Sequence, residues 1–120
     1  AAAPSASEQQ RLIARGKYLA HDASMCVVCH SPKDEAGRVI ESKEFQGGPI
    51  PVANPFPKGR RWAVNAPSLT TLVSNREDAV FHVLTAGIWS PSGEAPLMPM
   101  PPFRLSDEDA HAIIAYLKSL

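Results

Sequence analysis

The sequence predicts an all-α fold, three to five helices joined by long Pro/Gly-rich loops. Helical periodicity recurs in three segments, and no segment shows convincing strand alternation. Twelve prolines and seven glycines punctuate the chain. They cluster between Gly47 and Pro67 and between Pro91 and Pro102, which makes those stretches irregular. Aromatic residues make up only 7% of the chain. Few large rings must hold together much loop, which points to a non-protein group at the centre of the core.

The 120 residues are expected to form one domain, residues 1–120, with residues 1–6 as a disordered mature N-terminus. The first helix is expected after Ser7, with Gln10 completing a capping box. Leu12, Gly16 and Leu19 then share a face, with Ile13 and Ala20 beside it. A glycine inside a helix costs about 1 kcal/mol relative to alanine. Gly16 therefore makes sense where another backbone comes close. "APSLTTLV", Ala66 to Val73, reads as a short helical turn. The second helix is expected after Ser74, with Glu77 as its box partner and Gly87 as its C-terminal cap. The third is the clearest. Ser106 is the N-cap, and Asp107, Glu108 and Asp109 complement the helix dipole. Ala110, Ile113, Ile114 and Leu117 form its apolar face, flanked by Tyr116 and Leu120, while His111, Ala115 and Lys118 face solvent.

Formal net charge is zero, with no long basic run, so nucleic acid is excluded as a main partner. No apolar run approaches the roughly 20 residues of a transmembrane segment. The small, polar start "AAAPSASEQQ" reads as the end left by signal-peptide cleavage and predicts export.

Both cysteines lie in "SMCVVCHSP". Cys26-Val27-Val28-Cys29-His30 admits several chemistries. A redox dithiol requires a low-pKa cysteine in a βαβ setting, and no strand pattern lies upstream. A structural zinc site requires four ligands, and His21, His82 and His111 offer no paired spacing. Two buried free cysteines beside a histidine would be a coincidence of uncommon residues. Covalent attachment of c-type haem fits this spacing best. Thiols three residues apart on a helical turn can meet the two vinyl groups of one porphyrin edge, with His30 placed beneath the iron. Met98 and Met100, in "PLMPMPPF", are the candidates for the opposite ligand. Flanking prolines stiffen their loop and reduce the entropy lost on ligation. Met100 is preferred over Met98 because it lies closer to the last helix.

Taken together, "RGKYLAHDASMCVVCH", "NAPSLT" and "MPPFRLSDEDAHAIIAYLKSL" resemble, in order, the first helix and haem site, the proline segment, and the methionine loop and closing helix of the class I cytochromes c. Ser68 departs from the asparagine usual in that family. The segment "GGPIPVANPFPKGRRWAVNAPSLT" resembles the branch of small periplasmic cytochromes, subunits and domains that serve dehydrogenases such as the quinoprotein alcohol dehydrogenases.

The resemblance implies the cytochrome c fold around one covalent haem c. Cys26 and Cys29 would form the thioethers and His30 the proximal ligand. The Pro67 carbonyl would accept from the other ring nitrogen of His30. Leu69 would pack on the haem, Met100 would be the distal ligand, and Gly16 and Tyr116 would lie near the crossing of the first and last helices. Arg60, Arg61 and Trp62 are candidates for the haem propionates, as donors to buried carboxylates; a solvated loop cluster is the competing reading. Trp89 reads as core or haem wall.

The implied function is electron carriage, not enzymatic turnover, between a periplasmic dehydrogenase and an oxidase or another cytochrome, as a monomer or a subunit. The alternative is a catalytic or sensory haem protein whose labile methionine admits a gas or peroxide.

Overall fold

Two helices at opposite ends of the chain frame the molecule. In the computed structural model, which describes residues 5–56, 58–59, 61–89 and 93–120, α1 (Ala6–Tyr18) packs across α5 (Asp107–Lys118) in the most extensive contact between elements. Ser5, not Ser7, caps α1, its Oγ accepting from the Glu8 backbone N–H at 3.2 Å. Ser5 and Ala6, expected within a disordered terminus, are thus the cap and the first residue of the helix. Either serine can cap, and Ser5 brings Glu8 into the first turn, where the helix dipole favours an acid.

Leu19–Ala23 continues α1 as one π-helical turn, closed by Ser24 N–H donating to the Leu19 carbonyl at 2.7 Å. Met25 adopts a left-handed φ of 56° and breaks the helix. The short α2 (Cys26–Cys29) follows.

Gly16 is where the two long helices cross. A Cβ placed there would run into the Ala112 carbonyl and lie 2.8 Å from the Tyr116 Cβ. The close approach expected from the sequence is therefore present. It also explains why Ala112, outside the predicted apolar face, is fully buried. Ser106 caps α5 as expected, accepting from Asp109 N–H at 3.1 Å. Leu120, expected beside the apolar face, is exposed.

The middle of the chain departs from expectation. "APSLTTLV" forms more than a turn: α3 spans Leu69–Asn75, capped by Ser68, whose Oγ accepts from Thr71 N–H at 3.3 Å. Ser74 is consequently inside α3, where its hydroxyl donates to the Thr70 carbonyl at 3.1 Å. The expected Ser74–Glu77 capping box does not form. The next helix, α4 (Glu77–Ala86), starts from Arg76 without a side-chain cap and ends on Gly87 at φ 74°, as predicted. A two-residue antiparallel pair, β1 (Gly48–Pro49) with β2 (Asn65–Ala66), closes the long loop between α2 and α3. It is too short to leave any alternation in the sequence. Among the described residues, no helix is long and apolar enough to cross a membrane.

The core joins Leu19 and Ala20 to Phe45, Val73, Val80 and Leu84, and to the inner face of α5. Leu69 and Leu72 are partly buried against it. The fold is thus mostly helical, with its helices arranged around a cavity.

Candidate functional site

That cavity measures about 510 Å³. Its size lies within the roughly 300–1,000 Å³ typical of small-molecule and cofactor sites. Helices α3, α4 and α5 supply apolar walls, including Leu72, Val83 and Ile113. Of the residues singled out from the sequence, Cys26, Cys29, His30, Pro67, Leu69, Trp89 and Met100 all line it.

The left-handed Met25 starts α2, and the His30 backbone N–H donates to the Cys26 carbonyl at 3.0 Å. A spacing of three on one helical turn places the two thiols on the same side. Neither cysteine is in a disulfide. Burial pushes the Cys26 thiol up to about 11, with Cys29 adding to the rise and a backbone hydrogen bond opposing it. A redox dithiol has the reverse requirement, a thiol depressed toward neutrality. Nor does any strand precede α2 among the described residues. No group of three or more His, Cys, Asp or Glu side chains gathers at a metal-binding spacing among them.

His30 is 7% exposed, and its Nδ1 lies 3.0 Å from the Pro67 carbonyl oxygen. A carbonyl only accepts, so Nδ1 carries the proton and donates. Burial lowers the His30 pKa, the Pro67 bond opposes that shift, and Lys33 adds to it. The ring is therefore neutral near pH 7, with Nε2 left as a free donor for a metal.

Pro67 is held in place by residues the sequence reading passed over. Gly47 N–H donates to the His30 carbonyl at 2.8 Å, at a φ of +85°. A Cβ on Gly47 would sit 2.9 Å from both the Ala66 carbonyl oxygen and the Ser68 nitrogen. Ser31 is fully buried, and its hydroxyl accepts from Phe45 N–H at 3.0 Å. The adjacent glycines after Phe45 were the one available signal, read only as part of an irregular stretch.

The two methionines part company. Met100 lines the cavity together with Pro99 and Pro101, whereas Met98 is 40% exposed and is absent from the lining. Met98 instead ties the loop down through its carbonyl, which accepts from Ala63 N–H at 2.8 Å.

Neither Arg61 nor Trp62 lines the cavity. Arg61 is exposed, and the Trp62 indole N–H donates to the Val52 carbonyl at 3.0 Å. The loop between β1 and β2 folds the indole onto its own backbone, which satisfies the donor locally. Arg60 lies outside the described residues. Trp89, by contrast, is a wall residue, with the Arg76 guanidinium 5.6 Å from its ring centroid.

The residues present fit haem c. An apolar cavity of suitable volume holds two thiols on one helical turn, a neutral imidazole with one nitrogen committed to a carbonyl, and a thioether from a separate loop. No curated protein matches the chain. A family model described as Cytochrome c matches residues 13–120, which include both cysteines, His30, Pro67, both candidate methionines and the closing helix. A match of that extent shows the family: the chain belongs to the cytochromes c, which bind haem c covalently and transfer electrons through it.

Proposed function

We propose that this cytochrome c carries its haem between His30 and Met100, and that it takes electrons from a periplasmic dehydrogenase and passes them to an oxidase or another cytochrome. The observation that carries the ligand assignment is the placement of Met100 in the cavity lining while Met98 stands exposed outside it. When bound, the haem supplies reversible one-electron exchange between Fe(II) and Fe(III).

The chain's own residues set the conditions for that exchange. His30 enters as a neutral ring whose tautomer is fixed by Pro67, which strengthens Nε2 as a donor. Thioether ligation by Met100 would favour the reduced state and raise the potential relative to two histidines. Pro99 and Pro101, on either side of Met100, restrict the loop, so little rearrangement accompanies a change of charge. The apolar walls exclude water. At the mouth, Met25, Val52 and Leu97 line the cavity and are also exposed at 56%, 49% and 39%. They offer a partner an apolar rim suited to a small, transient contact.

The periplasmic setting and the dehydrogenase donor rest on the resemblance of residues 47–70 to the dehydrogenase-serving branch. Purification from the native source, with or without an accompanying dehydrogenase, tests that part. For the ligands, Met100→Ala is expected to lower the potential and abolish the weak far-red sulfur-to-iron band of the oxidised protein. Met98→Ala is expected to do neither. The reverse result reassigns the ligand, and a high-spin ferric wild type defeats the carrier reading.

A further inference from the structure

Away from the cavity, one group of polar side chains is unused by the function so far. His21 occupies the π-helical turn that leads into the haem motif, and such turns occur frequently at functional sites. Its Nε2 lies 2.9 Å from the Tyr116 hydroxyl and 3.2 Å from Glu44 Oε2. A bare lone pair at Nε2 would face the carboxylate, so this nitrogen carries a proton and donates. The side chains of His21 and Glu44 are each 23% exposed, which shields the pair from full solvent screening. The His21 ring stands edge-on to Phe45 and Tyr116, with centroids 5.2 and 5.8 Å away.

Glu44 begins a segment whose backbone is tied to the axial histidine, to its neighbour Ser31 and to Leu69, just beyond its acceptor Pro67. Phe45, fully buried at a left-handed φ of 64°, donates from N–H to Ser31, the neighbour of His30. Its carbonyl accepts from Leu69 N–H at 2.8 Å, two residues beyond Pro67. Gly47 N–H donates to the His30 carbonyl. A left-handed, buried phenylalanine persists only where its surroundings over-determine it. The His21–Glu44–Tyr116 contact pins the residue immediately before it.

We propose that His21 is a positioning residue for the axial histidine: paired with Glu44 and Tyr116, it holds the Glu44–Gly47 segment, and through it the register of His30 against Pro67. The proposal rests on His30 as the iron ligand. Loosening the segment weakens the Nδ1–H bond to Pro67, makes the imidazole a poorer donor, and so destabilises Fe(III) relative to Fe(II).

The test uses the haem-loaded protein. His21→Gln and Glu44→Gln are compared with wild type by redox titration and by solvent exchange of the His30 Nδ1 proton in the reduced state. The expected result is a higher potential in both variants, with faster exchange of the His30 Nδ1 proton than in wild type. A purely electrostatic effect would raise the potential in Glu44→Gln, which removes a negative charge, but not in His21→Gln, so a rise confined to Glu44→Gln overturns the proposal. So does a fall in both, or a lower melting temperature with potential and exchange unchanged. Should His21→Gln fail to mature, Glu44→Gln and Tyr116→Phe, which keep the packing, are read by the same criteria. A wild type lacking a ligated His30 imidazole would instead defeat the ligand assignment, which is read without any variant.

Discussion

Gly16→Ala is the most direct challenge to the α1–α5 crossing. The new methyl group would collide with the Ala112 carbonyl, lying 2.5 Å from its carbon and 2.8 Å from the Tyr116 Cβ. Ordinary contact begins at 3.4 Å, so the helices must part by more than an ångström to clear the carbonyl oxygen. The obstacles are backbone and a Cβ, which no rotamer change can move aside. A gap of 0.5–1 Å forfeits roughly a quarter to a half of the dispersion energy of the facing atoms. Overpacking commonly costs about 1–3 kcal/mol, and a rigid obstacle places this site near the upper end. Alanine returns about 1 kcal/mol of helix propensity. The net loss is about 2 kcal/mol, a fall in melting temperature of roughly 8 °C for a domain of this size. Gly37→Ala is the control. It has a φ of +81° and nothing within 4 Å, so it carries only the left-handed penalty of about 1–2 kcal/mol. The assay is thermal unfolding of the haem-loaded proteins, followed by far-UV circular dichroism. A Gly16→Ala protein that melts at or above wild type would refute the reasoning, since helix propensity would then outweigh close approach.

Three further outcomes are expected. Ser31→Ala strands the buried Phe45 N–H and should destabilise the protein by about 1–3 kcal/mol in guanidinium titration; a loss under 0.5 kcal/mol would mean water replaces the hydroxyl. Cys26→Ala or Cys29→Ala should yield poorly matured protein, and normal covalent haem content in the double variant, measured after acid–acetone extraction, would defeat the attachment chemistry. With zero formal charge and an apolar rim at the mouth, the rate of electron exchange with a small neutral reagent and with a protein partner should vary little with ionic strength. A steep salt dependence in stopped-flow measurements would place a charged patch at the docking face.

Sequence alone determined what local chemistry and short periodicity can carry. Cys26, Cys29 and His30 declare themselves by spacing, because thioether attachment and axial ligation act over one helical turn. The last helix is legible because its cap, the acidic first turn and the apolar face all lie in Ser106 and the twelve residues after it, Asp107–Lys118. Gly16 was legible because a mid-helix glycine needs a reason. Tertiary structure decided what depends on contacts across the chain. Ser5 prevailed over Ser7 as the cap of α1, and Ser74 was drawn into α3, capped by Ser68, which leaves α4 without a side-chain cap. Trp62 and Arg61 were donors in a plausible stretch, but the β1–β2 pairing sent the indole N–H to Val52 instead of the cavity. The support beneath His30 joins Ser31 to Phe45, His30 to Gly47 and Phe45 to Leu69, all across intervening loop, and loop residues leave no periodic trace. The placement of Met98 and Met100 is of the same kind. Both sit among prolines, two residues apart, and only the fold directs one into the cavity and ties the other to Ala63.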